Sequence, residues 1–481
     1  MKTESLLKFG QRPKVATLLI VVLLLPFVYI SPIQAKEIDH RVSSATWSRT
    51  YGVGSGQTSI QQTSDGGFVL ADRGAGVRVQ KLDRRGVVQW ERDYMPVGYG
   101  YAEADSIQQT ADRGYIVAGQ ALSMGYKTGY DALLLKLDRR GNVEWSKTYG
   151  GTKDDHFTMA EQTLDGGYIA VGNLESLASS GHVFNGWVVK TDPAGDIVWQ
   201  EAFVGEDIWS VDLTANGDFL VSGTVGVSSK AYAWVFKLDR DGGMMWQRAF
   251  SIADYNVGYL VRHTLDDGVI MAAEAWTISP NGTFLSEDSV FIRLDAFGNS
   301  LWKKSYSAGT ENQPASITVT LDNGFIIAGG AIPSSDGIGI RGPWILKLDA
   351  NGDMVWQRLY GGLNDFLSNV VETRNGGLVA AGSLSNYWIW LLRLDDNGTI
   401  TGCSVGAPSG AVLDDITPTV TSDVAITRVQ TNTNVAATAV TVRGLGPMIQ
   451  VQCASVQQVS SGEGRSRESD RESSREKIGR I

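Results

Sequence analysis

The sequence predicts an all-β fold built from repeated four-stranded sheets, and three recurring features predict it. The phrase Thr-x-Asp-Gly-Gly-aromatic, as in Thr63-Ser64-Asp65-Gly66-Gly67-Phe68, returns with small variations seven times. Each copy is followed by a second phrase, Lys-Leu-Asp-x-x-Gly-x-x-x-Trp, as in Lys81-Leu82-Asp83 with Gly86 and Trp90. The two phrases start at Thr63 and Lys81, Thr110 and Lys136, Thr163 and Lys190, Thr214 and Lys237, Thr264 and Arg293, Thr320 and Lys347, and Thr373 and Arg393. The third feature is an aromatic pair four residues apart, such as Trp145 and Tyr149, which a strand places on one face. A repeat of roughly 50 residues made of short strands is the mark of a propeller or a related array. The 56 glycines suit a chain that turns every few residues.

Residues 1–35 read as a secretory signal peptide. Lys2, Lys8, Arg12 and Lys14 precede an apolar run from Ala16 to Ile30, short for a membrane span, and Ile33-Gln34-Ala35 offers a cleavage site. Retention as an uncleaved anchor is the alternative. After cleavage no membrane insertion is expected. Residues 36–44 form a linker.

The repeats occupy residues 45–401. In the second, Ser106–Thr110, Tyr115–Gly119, Leu133–Leu137 and Val143–Tyr149 read as four strands separated by turn chemistry at Asp112-Arg113-Gly114 and Asp138–Gly141. The aromatic pair recurs as Trp90 and Tyr94, Trp199 and Phe203, Trp246 and Phe250, Trp302 and Tyr306, and Trp356 and Tyr360. After Arg393 no Trp follows, and the missing copy stands at the other end as Trp47 and Tyr51. The expectation is therefore a seven-bladed β-propeller of four-stranded blades, with the N-terminal strand Ala45–Tyr51 supplying the outer strand of the last blade and closing the ring. A sugar platform or a quinone-stacking surface is the functional alternative for the Trp strip. Its fixed distance from a turn in every repeat favours packing between blades. Trp187, Trp234, Trp344 and Trp390, at one position of the third strand, read as core as well.

Residues 402–453 are Thr/Val-rich and strand-prone, a small C-terminal β-rich segment expected to form an accessory module. Cys403 and Cys453 flank 49 residues there. Export permits a disulfide between them, which in the chain-entropy account contributes about 4 kcal/mol. Residues 454–481, rich in Ser, Arg and Glu, read as disordered.

The unit T-x-D-G-G-[FY]-[IV]-x-A-G with K-L-D-x-x-G-x-x-x-W resembles exported bacterial and archaeal β-propeller proteins. Its second half is similar to the repeat of PQQ-like propellers, where an Asp-containing turn and a Trp dock one blade against the next. The resemblance implies the fold and the docking role of these residues. It leaves function open, because such blades carry enzymes, scaffolds and binding modules.

A net charge of −10 argues against a nucleic-acid partner. The four histidines, His40, His156, His182 and His263, are too dispersed for a metal motif. Asp349, Asn351 and Asp353 suggest a Ca²⁺ loop, but a hairpin turn explains them better. Quinoproteins that use PQQ have eight blades and a cysteine pair beside the cofactor, both lacking here, so no cofactor is expected. The two motif turns lie on one face of the ring and the variable loops on the other, where recognition sits on a rigid scaffold. Acids gather in those loops: Asp105, Asp155, Asp207, Glu311 and Asp365, beside His156, are the candidate binding residues. They would suit a cation, Ca²⁺ included, or a basic segment. The expected protein is a monomeric, non-catalytic binding or scaffold module, secreted, periplasmic or at the cell surface, with a protein or glycan of the cell envelope as partner. A PQQ-dependent dehydrogenase and a polysaccharide hydrolase or lyase are the alternatives.

Overall fold

Alternating apolar and polar residues between tight turns fold as strands, and a computed structural model of the chain is all-β, with no helix among the described residues. The chain divides into Met1–Ser43 and Ser44–Ile481. The structure describes residues 46–53, 58–74, 76–123, 129–175, 185–227, 230–307, 311–332, 342–361, 365–384 and 388–400, and the backbone of seven short strands between 406 and 454. The expected signal peptide, linker and tail lie outside the described residues, as do Cys403 and the Cys453 side chain.

Twenty-eight strands form antiparallel sets of four. β1 (Trp47–Val53) belongs to the last set. The first set is β2 (Thr58–Gln62), β3 (Phe68–Arg73), β4 (Val77–Leu82) and β5 (Val88–Pro96). The second is β6 (Tyr99–Gln109), β7 (Tyr115–Ser123), β8 (Tyr130–Leu137) and β9 (Val143–Gly150). The third is β10 (Asp155–Gln162), β11 (Tyr168–Leu174), β12 (Asn185–Thr191) and β13 (Ile197–Val204). The fourth is β14 (Asp207–Leu213), β15 (Phe219–Val227), β16 (Lys230–Leu238) and β17 (Met244–Ser251). The fifth is β18 (Tyr255–His263), β19 (Val269–Ile278), β20 (Phe284–Leu294) and β21 (Ser300–Ser307). The sixth is β22 (Glu311–Val319), β23 (Phe325–Ile332), β24 (Gly342–Leu348) and β25 (Met354–Tyr360). The last joins β26 (Phe366–Glu372), β27 (Leu378–Leu384) and β28 (Trp388–Leu394) to β1, with Trp47 opposite Arg393 and Thr50 opposite Trp390.

Each repeat folds around its two phrases. The Asp of the first turn caps that turn and also pairs with the basic residue of the second phrase. Asp112 pairs with Lys136 at 2.8 Å, Asp165 with Lys190 at 2.8 Å and Asp322 with Lys347 at 2.9 Å. These lysines are buried, and Lys136 and Lys190 donate again to the carbonyls of Leu137 and Thr191. Burial alone would raise Asp165 and Asp322, but the ammonium, the motif threonine and a glycine N–H hold both at about 2. The Asp of the second phrase accepts two backbone N–H groups in its own turn; Asp349 takes those of Asn351 at 2.9 Å and Asp353 at 2.8 Å. The Asp349 run is therefore a hairpin turn.

The second turn also docks the sets together. The Tyr149 hydroxyl donates to the Gly195 carbonyl at 2.7 Å, and the Trp145 indole N–H to the Pro193 carbonyl at 3.2 Å. Tyr51 reaches Gly86 and Tyr94 reaches Gly141 in the same way, at 2.7 and 2.6 Å. Each turn glycine has positive φ and lies under the preceding set's Trp ring, so a Cβ on Gly141 would stand 2.9 Å from Trp90. Apolar clusters fill the spaces between consecutive sets. Another packs Val379, Ala381, Ile389 and Leu391 of the last set, with Trp47 and Tyr51, against Ile60, Phe68 and Leu70 of the first. The second Trp group is buried, each indole on a side-chain oxygen, as for Trp344 on Gln357 at 2.8 Å.

The C-terminal stretch departs from the expected accessory module. Its strands are β29 (Gly406–Pro408), β30 (Val412–Asp415), β31 (Thr419–Thr421), β32 (Arg428–Gln430), β33 (Asn434–Ala437), β34 (Val440–Gly444) and β35 (Ile449–Ala454). None pairs with another of this stretch. They add, in order, to β25, β21, β17, β13, β9, β5 and β1, each as an antiparallel fifth strand. The physical reason is that every set ends on an open outer edge of unpaired N–H and C=O groups, which takes up any strand that reaches it. Strand starts six to nine residues apart give that reach, about 20 to 30 Å when extended.

Docking and backbone strain can be separated by substitution. Gly66 has φ of +79° with open space around it, whereas Gly141 has φ of +78° and a Trp ring above it. Gly66→Ala should cost about 1 kcal/mol from φ alone. Gly141→Ala should cost about 1 to 3 kcal/mol more, measured by urea denaturation; equal losses would show that the ring contact contributes nothing.

Candidate functional site

The first strand of each set carries the site. Counting back from the motif threonine gives equivalent positions in all repeats. Four residues back stands Ser59, Ser106, Ser210 or Ser316, and each hydroxyl accepts a backbone N–H from the first strand of a neighbouring set: Ile107, Ala160, Val261 and Val370, at 2.9 to 3.4 Å. Two residues back, Gln108 accepts from the Gln162 N–H at 2.8 Å and Asp212 from His263 at 2.5 Å. Last and first sets are linked likewise. Ser368 Oγ accepts from Thr58 N–H at 3.1 Å, and Gln62 accepts from Arg374 N–H at 3.1 Å. First strands that share no ladder thus satisfy one another through side chains.

Five residues back, the strands bulge. Pairing slips by one residue between Ala104 and Ser106, Phe157 and Met159, Ile208 and Ser210, Gly258 and Leu260, Pro314 and Ser316, and Leu367 and Asn369. The extra residues are Asp105, Thr158, Trp209, Tyr259, Ala315 and Ser368; β2 is regular and begins with Thr58 at the same position. A bulge re-aims one side chain. All seven of these residues line one cavity of about 300 Å³, to which every set contributes. It is closed in deeper by Arg262, whose guanidinium donates to the Val261 carbonyl at 2.7 Å and to Ser210 at 3.3 Å. Glu161 is held well above the usual carboxylate range by burial and by Asp212; burial raises Asp212 too, against the pull of Arg262.

Of the acids expected at this face, Asp105 alone lines the cavity. It is ion-paired with Arg73, and burial pushes it up to about 6 against that pairing. Asp155 is fully buried and turns back onto its own loop, accepting from Gly151 N–H at 2.7 Å. Asp365 is buried beneath Gly361. Asp207 and Glu311 begin β14 and β22 partly buried, and burial raises Asp207. Burial and the Arg73 charge lower His156. The neighbouring Glu206, raised to about 7 by burial, accepts from Gly226 N–H at 2.7 Å. Asp155 and Glu206 thus hold loop backbone, and Asp105 is the one of the expected acids that borders the cavity. Among the described residues no group of three or more His, Cys, Asp or Glu is placed to hold a metal ion.

No known protein family matches this chain, and no curated protein matches it. Solved structures do. One is a protein of unknown function from Bacteroides caccae, 12% identical, with a TM-score of 0.33, covering 65% of this chain and 93% of that one. Another is Drosophila Plexin A in complex with Semaphorin 1b, 9% identical, TM-score 0.41, covering 73% and 87%. A third is MPT-4, a mannose phosphorylase from Leishmania mexicana, 10% identical, TM-score 0.27, covering 73% and 87%. Likenesses this distant carry no argument about what this chain does.

Asp105 and Glu206 give stability a pH dependence of known sign. Their folded values, about 6 and about 7, lie above those of an unfolded carboxyl. Between about pH 4 and 7 the folded state therefore holds more protons than the unfolded one, and stability falls as pH rises through that window. Asp105→Asn with Glu206→Gln should flatten that fall in denaturation curves taken at intervals across it. An unchanged slope would show that other groups set it.

Proposed function

We propose that the chain is a closed seven-bladed β-propeller that acts outside the cytoplasm as a binding module, without catalysis, taking its ligand in the axial cavity. The observation that carries the reading is one position of the first strand, bulged in six blades: one residue from every blade meets in one cavity, and these residues range from Ala315 to Trp209 on an otherwise repeated frame. Closure is supported by the pairing of β1 with β28, by the cluster joining last and first sets, and by the Ser368 and Gln62 hydrogen bonds. Binding is favoured over hydrolysis because the deep carboxylates Glu161 and Asp212 accept backbone N–H groups of the next blade, at the position where Gln61 and Gln108 do the same. Export rests on the signal-like N-terminus; N-terminal sequencing of exported protein should begin at Lys36.

The C-terminal strands then form a belt that starts on the sixth blade and ends on the seventh, its neighbour. Cys403 lies three residues before β29, and Cys453 pairs through its backbone with Ser48. A disulfide between them would clasp the belt. Peptide mapping without reductant should recover the linked pair from exported protein, and a chain starting at Gly54 should aggregate or melt far lower than the whole. Free thiols would remove the clasp, and unchanged melting would remove the closure.

The binding reading is tested with the full chain and its Trp209→Ala/Tyr259→Ala variant. An envelope extract of the native host should raise the Tm of the wild type and not that of the variant. Equal shifts, or none, would overturn the axial site.

A further inference from the structure

The cavity has two unlike sides. Trp209 and Tyr259, from the fourth and fifth sets, bring their rings to 5.5 Å at an interplanar angle of 42°. From the last, first and second sets come Asn369, Thr58 and Asp105, all polar, with Phe366 of the last set beside them. In a ring of seven these two groups face each other. Asn369 stands at the position four back, where four other repeats carry a serine bonded to the next blade; its backbone pairs with Ala381, its side chain has no hydrogen bond among the described residues, and it borders the cavity. The Trp209 indole N–H is shielded from solvent and has no acceptor among the described residues. The ring that carries it lines the cavity, so the face of Trp209, and not its N–H, is what a ligand meets.

Charge narrows the ligand. Asp105 is bonded to Arg73, and Arg262 lies with Glu161 and Asp212 and donates to protein oxygens. Both arginines are engaged by carboxylates, Arg73 by Asp105 and Glu103 and Arg262 by Asp212 and Glu161, which disfavours a phosphate. About 300 Å³ is at the small end for a ligand pocket. An aromatic wall opposite an amide and a carboxylate suits a molecule with an apolar C–H face and a rim of hydroxyls.

Resting on the binding-module reading, we propose that the axial cavity takes one neutral pyranose unit, its C–H face against Trp209 and Tyr259 and its hydroxyls on Asn369 and Asp105. Such a unit would be the end or a branch of a glycan.

The test uses neutral methyl glycosides of the gluco, galacto, manno and N-acetylgluco series with the full chain, read by saturation-transfer NMR and calorimetry. At least one should bind with a Kd of about 1 mM or tighter. Trp209→Ala should weaken it at least about tenfold. Asn369→Ala, which removes one hydrogen-bonding group, should weaken it about three- to tenfold. Trp276→Phe, away from the cavity, should leave it unchanged, and circular dichroism and Tm should show all variants folded. If no glycoside binds while Trp209→Ala/Tyr259→Ala still abolishes the extract-induced Tm shift, the sugar assignment falls and the binding module stands. If that variant alters neither readout, both fall. Binding of inorganic phosphate or a lysine-rich peptide in place of every glycoside would also overturn the sugar.

Discussion

Every four-stranded sheet ends on two open edges, and most of this sequence can be understood as the means of satisfying them. Inner edges are met by short polar side chains. Ser59, Ser106, Ser210 and Ser316 receive N–H groups across a gap that no ladder spans, and Gln108 and Asp212 do the same one step further along. Outer edges are met by the belt, one short strand to each sheet. Faces are joined by a third device, the Trp and Tyr of one sheet set on the glycine turn of the next. The recurring Gln-Gln-Thr and Trp-x-x-x-Tyr spellings are these solutions written out in sequence.

The repeated frame was legible because its interactions are short-range and occur many times. An Asp capping its own turn, a Lys returning to an Asp some 25 residues earlier, and a Trp at a fixed step from a Gly each leave a recurring pattern. The cavity was not legible in that way, because its residues are the ones that do not recur. Thr58, Asp105, Thr158, Trp209, Tyr259, Ala315 and Ser368 hold one position relative to the motif threonine and range from hydroxyl and carboxylate to methyl and aromatic. Divergence at a single column was the available signal, and the bulge that aims these residues inward has no composition of its own. Loop acids drew attention because charge suggests a ligand, yet an Asp beside a Gly-rich turn serves equally to hold backbone N–H groups, as Asp155 does. The belt escaped because a Thr/Val-rich segment spells strand without naming its partner, and Ile449–Ala454 pairs with residues near the other end of the chain.

This division of labour lets the cavity wall vary on one frame. The Trp, Tyr and glycine residues that dock the sets lie in sheet faces and turns, while cavity residues such as Ser368, Thr158 and Asp105 add single contacts to a neighbouring set. Ala315 occupies the position that Trp209 fills in another repeat, with the same register slip around it. Exchange at this position alters the cavity wall and leaves the docking contacts in place, so the scaffold tolerates variation where recognition needs it.

The last sheet sets the order of assembly. Its strands come from three distant stretches: β1 near the start, β26 to β28 at the end of the repeats, and β35 beyond them. As the chain is made, β1 appears first and has no partner until β28 exists, nearly 340 residues later. Its other edge waits longer still, for β35. Contacts this far apart in sequence form slowly and leave intermediates with open edges. An incomplete chain, whether from early termination or proteolysis of the C-terminal stretch, therefore carries uncovered strands on all its sheets. Emergence of β29 to β35 and protection from aggregation become one event in this protein, and these strands act as the seal.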